Sequence, residues 1–311
     1  MRHLRQQPEL ESAPSAAPPQ LTKRRAWYLA LRPFSYPASI VPVLVGTALA
    51  ADQDLRPGLF LLAFAGSILI HAGTNLATDF FDFVDGVQPR ATLGGAIRSG
   101  ALSAKAIHRA AIACFLAGSV CGLVIVAFAG WPILAVGLVS VLAGYFYTAG
   151  PIMYGRRGLG EVMVFLFMGV VMVMAAYYVQ VEKLSWEAFY GSLPVGILVA
   201  NILHANNLRD IENDRINKKV TIATIIERPA ADYLLYALVA AAFASVFVCV
   251  ALGLLPIGAL AVIGAVPAAV ITLRSLGARE AMALNPLVRG SARLHLHFGV
   301  LLALGCLTAA W

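Results

Sequence analysis

The chain has 311 residues, 60% hydrophobic and only 13% charged, with a formal net charge of +7. Soluble domains carry about 25% charged residues, so this composition and a mean hydropathy of +0.79 exclude an ordinary soluble fold. The isoelectric point near 9.4 comes without any nucleic-acid reader motif, and no nucleic acid partner is expected.

Residues 1–22 are rich in Pro, Ala, Gln and Glu and read as a disordered cytoplasmic tail. No apolar run follows the start, so no cleaved signal peptide is expected. Residues 23–311 read as a single intramembrane domain. Segments of roughly 17–25 apolar residues can each cross the hydrocarbon layer as a helix. Nine qualify: about 34–52, 57–80, 107–128, 131–149, 160–181, 187–207, 232–253, 256–274 and 291–310. Several are separated only by a turn, such as Gly130-Trp131-Pro132 or Leu255-Pro256, which favours antiparallel neighbours. The predicted fold is therefore all-α, a polytopic membrane protein with nine transmembrane helices. Cys114, Cys121, Cys249 and Cys306 lie in apolar stretches without metal-ligand spacing and read as small buried hydrophobes.

Basic residues set the orientation. With the N-terminus in the cytoplasm, only Arg56 and Lys183 of the 23 Lys and Arg fall on the far side, as the positive-inside rule requires. The expected location is the cell inner (cytoplasmic) membrane, with lipid as its surroundings and the site facing the cytoplasm.

Two acidic clusters interrupt this apolar chain. The first runs Asn75-Leu-Ala-Thr-Asp79-Phe-Phe-Asp82-Phe-Val-Asp85, the second Asn206-Asn207-Leu-Arg209-Asp210-Ile-Glu212-Asn-Asp214-Arg215. Carboxylates beside a bilayer are costly, so a function is their default explanation. If the second span continues helically, Asn75, Asp79 and Asp82 share one face at i, i+4 and i+7, with His71 one turn earlier. Asn206, Asp210 and Asp214 repeat at i, i+4 and i+8. Both clusters follow even-numbered spans and so emerge on one side. Joining them creates carboxylate repulsion that divalent cations would relieve. Mg²⁺ suits the pattern, because it takes one or two carboxylates, water and phosphate oxygens. Arg209, Arg215, Lys218 and Lys219 surround the second cluster, and Arg90, Arg98 and Lys105 follow the first. Basic side chains can clamp a diphosphate.

The pattern Asn-x-x-x-Asp-x-x-Asp, then Asn-Asn-x-x-Asp-x-x-x-Asp, resembles the UbiA superfamily of intramembrane prenyltransferases. The likeness is greatest to its 1,4-dihydroxy-2-naphthoate polyprenyltransferase branch, which makes menaquinone precursors. Trp27-Tyr-Leu-Ala-Leu-Arg-Pro33, Pro42-Val-Leu-Val-Gly-Thr47, Tyr147-Thr-Ala-Gly-Pro151, Arg157-Gly-Leu-Gly-Glu161 and Arg293-Leu-His295 extend the likeness over most of the chain. The resemblance implies nine helices around a central cavity and a lipid-lined tunnel for the isoprenoid tail. It implies that Asp79, Asp82, Asp210 and Asp214 hold Mg²⁺, assisted by Asn75 and by Asn206 or Asn207, and that Lys219 contacts diphosphate. Arg156 stands where the branch shows Tyr, and Val220 where a further basic residue is common.

The chemistry implied is ionisation of a polyprenyl diphosphate, then attack on the allylic cation by an electron-rich aromatic acceptor. Mg²⁺ and the basic residues stabilise the departing pyrophosphate. Tyr145, Tyr147, Phe80 and Phe83 could face the cation or form an interfacial belt. Arg157 could bind an acceptor carboxylate or lipid headgroups, and Glu161 could cap a helix or orient a substrate. A terpene cyclase on the same scaffold, transfer to a different aromatic acceptor, and a transporter with midplane carboxylates are the competing readings.

Overall fold

The computed structural model describes residues 21–87, 96–277 and 280–308. The expected tail up to residue 20, Arg90 and the C-terminal Trp311 lie outside them. Helices α1 (Lys23–Leu31) and α2 (Pro37–Ala48) flank a break at Arg32–Ser35. They are followed by α3 (Pro57–Val84), α4 (Ala104–Ala129) and α5 (Trp131–Phe146). Next come α6 (Gly160–Val164), π turns over Phe165–Val171, and α7 (Met172–Val181), which together form one 22-residue span. Helices α8 (Trp186–Arg209), α9 (Ile211–Ile216), α10 (Ile222–Ile226) and α11 (Ala230–Ala251) lead to a 3₁₀ segment (Ile257–Ala265). The described chain closes with α12 (Val266–Arg274) and α13 (Asn285–Leu307).

Among the described residues, eight helical spans are long and apolar enough to cross a membrane. The other expected crossing, α5, has 16 residues, about 24 Å of helix against a hydrocarbon core of about 30 Å. Local chemistry sets the boundaries. Ser103 and Ser185 accept from the backbone N–H groups of Ala106 and Ala188 at 3.2 and 3.0 Å, capping α4 and α8. Proline opens α2, α3, α5 and α13, where its missing N–H costs nothing. Gly130, at φ +81, makes the reversal between α4 and α5, a backbone region that glycine reaches freely.

Helix α8 is the axis of the bundle: 72% of its apolar window is buried, against 17% for α4. Helix α13 packs against α2, α8 and the 3₁₀ segment, while α3 lies along α4. The π turns cross α8 at Gly169 and Gly196. A side chain at Gly169 would meet the Gly196 backbone, and one at Gly196 would meet the Phe165 ring. Small residues of this kind let helices in lipid approach closely.

At one end of the bundle, two loops are joined. The Val220 N–H donates to the Arg156 carbonyl (3.1 Å) and the Gly158 N–H to the Val220 carbonyl (2.9 Å), an isolated parallel bridge. Tyr154 donates its hydroxyl to the Ala143 carbonyl at 2.8 Å and packs edge-on against Tyr147. Burial pushes the Tyr154 phenol up to about 12. At the opposite end, Arg56 pairs with Glu182 at 2.5 Å.

Gly196→Val should lower the melting temperature in detergent, because overpacking a close crossing costs about 1–3 kcal/mol; an unchanged melt would contradict this crossing. A raised tyrosine value adds stability that is complete below the ordinary value, about 10, and is lost as pH climbs toward 12. Tyr154→Phe should therefore melt below wild type at neutral pH, by about 0.5–1.5 kcal/mol, and the gap should close above about pH 10. Paired melts across that range check it.

Candidate active site

A cavity of about 560 Å³ runs beside α3. Its lining on that helix extends from Leu62 to Thr78, about 24 Å at ~1.5 Å per residue. The deep walls are apolar and often small, with Gly66, Gly118, Gly122, Ile125, Leu134, Phe167 and Val179 among them. Polar groups gather at one end: Arg32, Ser35, His71, Asn75, Thr78, Tyr147, Asn206, Asn207 and Lys219. An apolar gallery with convergent polar groups at its mouth is the usual form of a ligand site.

Helix α3 continues through Val84, so Asn75, Asp79 and Asp82 do share a stripe. Asn75 donates to the Leu31 carbonyl (3.1 Å) and the Ser35 hydroxyl (3.4 Å). His71 bridges Ser35 at 3.1 Å and Ser39 at 2.8 Å. Asp79 pairs with Arg32. Arg32 sits at φ +52 just before Pro33, a backbone state that costs about 1–3 kcal/mol and that proline further restricts. The strain is held where α1 breaks and the guanidinium turns onto α3. Arg156 reaches Asp82 at 2.7 Å and Asp85 at 3.4 Å.

The second cluster departs from the expected stripe. Helix α8 ends at Arg209, and the Asp210 N–H is shared between the Asn206 and Asn207 carbonyls at 3.1 and 3.2 Å. A shared bond of this type tightens a final turn, so the stripe breaks at Asp210. The Asp210 carboxylate is held at 2.7 Å by both Nε and Nη2 of Arg209. Both residues are buried, and Arg209 also reaches Asn285 at 3.4 Å. Arg209, expected near diphosphate, here closes an ion pair that ties α8 to α13. Asp214 is buried and lies 3.2 Å from the Lys219 ammonium. Lys219 also donates to Asn207 Oδ1 at 3.4 Å, and Asn207 Nδ2 donates to Glu161 at 2.9 Å.

The two clusters face one another. A smaller pocket is lined by Thr78 and Asp82 from α3, by Asn213, Asp214, Asn217 and Lys219, and by Arg156 and Tyr147. Thr78, Tyr147 and Lys219 border both this pocket and the main cavity. Other expected residues lie elsewhere. Tyr145 is exposed and packs edge-on against Phe81. Phe80 stacks on His108. Arg98 donates to the Val87 carbonyl (2.6 Å) and lies over exposed Phe83. Arg157 points to the Pro151 carbonyl (3.0 Å), and Arg215 pairs with Glu212 and Glu227. Sequence reasoning did not single out Arg32, although the Arg-Pro break was its signal. It read Arg156 only as a departure, whereas the loop bridge sets that residue opposite Asp82.

Among the described residues, no three His, Cys, Asp or Glu side chains converge into a metal cage. The donors of the small pocket are oxygens: two carboxylates (Asp82, Asp214), two amides (Asn213, Asn217) and the hydroxyls of Thr78, Thr148 and Tyr147. Few carboxylates and neutral oxygens suit a hard cation that keeps water and phosphate in its shell. The four aspartates are balanced by Arg32, Arg156, Arg209 and Lys219. Arginine and lysine are also the residues that grip phosphate.

Residues 39–310 match the UbiA prenyltransferase family. The chain is 33% identical over 293 residues to the 1,4-dihydroxy-2-naphthoate octaprenyltransferase of Bacillus subtilis (strain 168), covering 90% of this chain and 91% of that one. It is 34% identical to the protein of the same name from Escherichia coli (strain K12), covering 65% and 69%. Its fold is that of a UbiA homolog from Archaeoglobus fulgidus solved bound to DMAPP and Mg²⁺, at a TM-score of 0.60 and 14% identity, covering 89% of this chain and 99% of that one. The chain thus belongs to the UbiA prenyltransferase family and is a multi-pass membrane enzyme that transfers prenyl groups.

Proposed function

We propose that this enzyme transfers a polyprenyl group from polyprenyl diphosphate to the aromatic acceptor 1,4-dihydroxy-2-naphthoate, in menaquinone biosynthesis. The observation that carries this reading is the long apolar gallery ending where both acidic clusters meet Lys219 and Tyr147. The names of the bacterial relatives support the acceptor. By the distribution of Lys and Arg, the mouth opens on the cytoplasmic side of the inner membrane, with the N-terminus on that side.

The gallery takes the isoprenoid tail and excludes water from the reacting carbon. Asp79, Asp82, Asp210 and Asp214, with Asn75 beside them, would hold Mg²⁺, and the bound ion would supply neutralisation of the charge on the diphosphate. Lys219, Arg32 and Arg156 grip the remaining oxygens. The C1–O bond breaks, and the diphosphate leaves with the electron pair. Tyr147 presents its ring at the mouth, where a developing allylic cation is stabilised by a π face. The acceptor ring carbon bearing the carboxylate attacks C1 and loses CO₂.

Purified protein given several aromatic acids and several prenyl diphosphates should form product with the naphthoate acid, and only with Mg²⁺. Product from another acid alone would overturn the acceptor, and cyclic hydrocarbon without acceptor would overturn the reaction. Asp79→Asn and Asp82→Asn should each lower kcat by about 100-fold or more with little change in melting. Asp210→Asn should lose turnover and also melt earlier, because it strands buried Arg209.

A further inference from the structure

Among the described residues, Glu161 is the buried acid that this mechanism leaves unused. It lies in the first turn of α6 and is buried against α8. The cavity wall beside it comes from Met163 and Val164, so Glu161 stands behind the wall. Its Oε1 accepts from Asn207 Nδ2 at 2.9 Å and lies 3.4 Å from His204 Nδ1. His204 is itself fixed, because its Nε2 meets the Ala231 carbonyl at 2.9 Å and a carbonyl only accepts.

An asparagine amide has two faces of nearly equal shape, and only its neighbours decide which is presented. For Asn207 both neighbours are unambiguous. A carboxylate oxygen accepts, so Nδ2 faces Glu161. The Lys219 ammonium only donates, so Oδ1 faces Lys219 at 3.4 Å, and Lys219 in turn lies 3.2 Å from Asp214. Lys219 donates to Asp214 on one side and to Asn207 Oδ1 on the other, and from there donation runs one way, Asn207 Nδ2 to Glu161, an acid outside the site. Asn207 and Lys219 line the cavity. Without an acceptor behind it, the amide loses the shorter of the two contacts that fix it, and only the 3.4 Å bond from Lys219 then holds Oδ1 in place.

We propose that Glu161 is a positioning residue: it fixes the Asn207 amide so that its oxygen holds Lys219 at the mouth for the diphosphate. This rests on the reading of the mouth as the diphosphate site. Groups that orient metal ligands from behind typically change affinity or activity about 10–100-fold when removed, and the same scale is expected for a group that orients a diphosphate-binding lysine.

Kd for a prenyl diphosphate and the KM values of both substrates are measured on the full-length protein in lipid nanodiscs. Glu161→Leu should raise Kd and KM for the prenyl diphosphate by about 10–100-fold, and leave KM for the aromatic acceptor unchanged. In Glu161→Gln the amide oxygen can still accept from Asn207, and most of the affinity should return. Adding Glu161→Leu to Asn207→Ala should cost nothing further, because the two act in series. A second route does not depend on the leucine variant folding. Asn207→Asp cannot donate to Glu161 and should weaken binding, and adding Glu161→Gln should restore it, because the introduced amide donates to the introduced carboxylate. Unchanged affinity in Glu161→Leu, full additivity with Asn207→Ala, or no rescue of Asn207→Asp overturns the role of Glu161. Wild-type protein that fails to bind prenyl diphosphate overturns the reading of the mouth instead, so the two failures are told apart.

Discussion

A carboxylate at the end of an apolar helix is tolerated only where a cation, a strong donor or water stands beside it. Four aspartates crowd one end of this bundle, and each has a basic partner within contact: Arg32, Arg156, Arg209 and Lys219. That balance governs much of the nearby architecture. The break between α1 and α2 carries Arg32. The bridge between Arg156, Gly158 and Val220 brings Arg156 and Lys219 to facing sides of one pocket. The kink at Asp210 brings its carboxylate to Arg209.

The pairs differ in use. Arg209 and Asp210 are both nearly sealed from solvent, and Arg209 also reaches α13, so this pair reads as a joint between helices as much as a ligand site. Arg32–Asp79 and Arg156–Asp82 are partly open to the mouth. An open pair can exchange partners when a phosphate arrives, whereas a sealed pair resists because each lone buried charge is costly. The same mouth can thus be electrically quiet when empty and strongly attractive to an anion that brings its own cation.

Behind the mouth, the gallery depends on small residues. Glycines on α3, α4 and α5 line it, and the Gly169–Gly196 crossing seats the π turns against the buried axis, α8. Wide space on one side and close contact on the other both follow from absent side chains. In lipid, where apolar burial gives helices little reason to associate, such contact is what packing has to offer.

The sequence by itself determined the all-helical membrane class, the approximate place of eight of the nine expected crossings, and the two acidic clusters at one end. These follow from composition, from segment length against bilayer thickness, and from charge asymmetry, all of which are local or additive. The stripe of Asn75, Asp79 and Asp82 was legible because α3 stays helical. The matching stripe on α8 was not, because one shared backbone bond at Asp210 breaks it and periodicity carries no trace of that bond. Tyr145 and Tyr147 look equivalent in sequence, yet two positions on a helix are about 200° apart, and the packing of α3 sends one outward and the other into the mouth. Arg32, Arg156 and Glu161 gained their places only through tertiary structure. Each is tied to groups at least 43 residues away in the chain, and contacts over such distances are set by how helices pack, which no local pattern records.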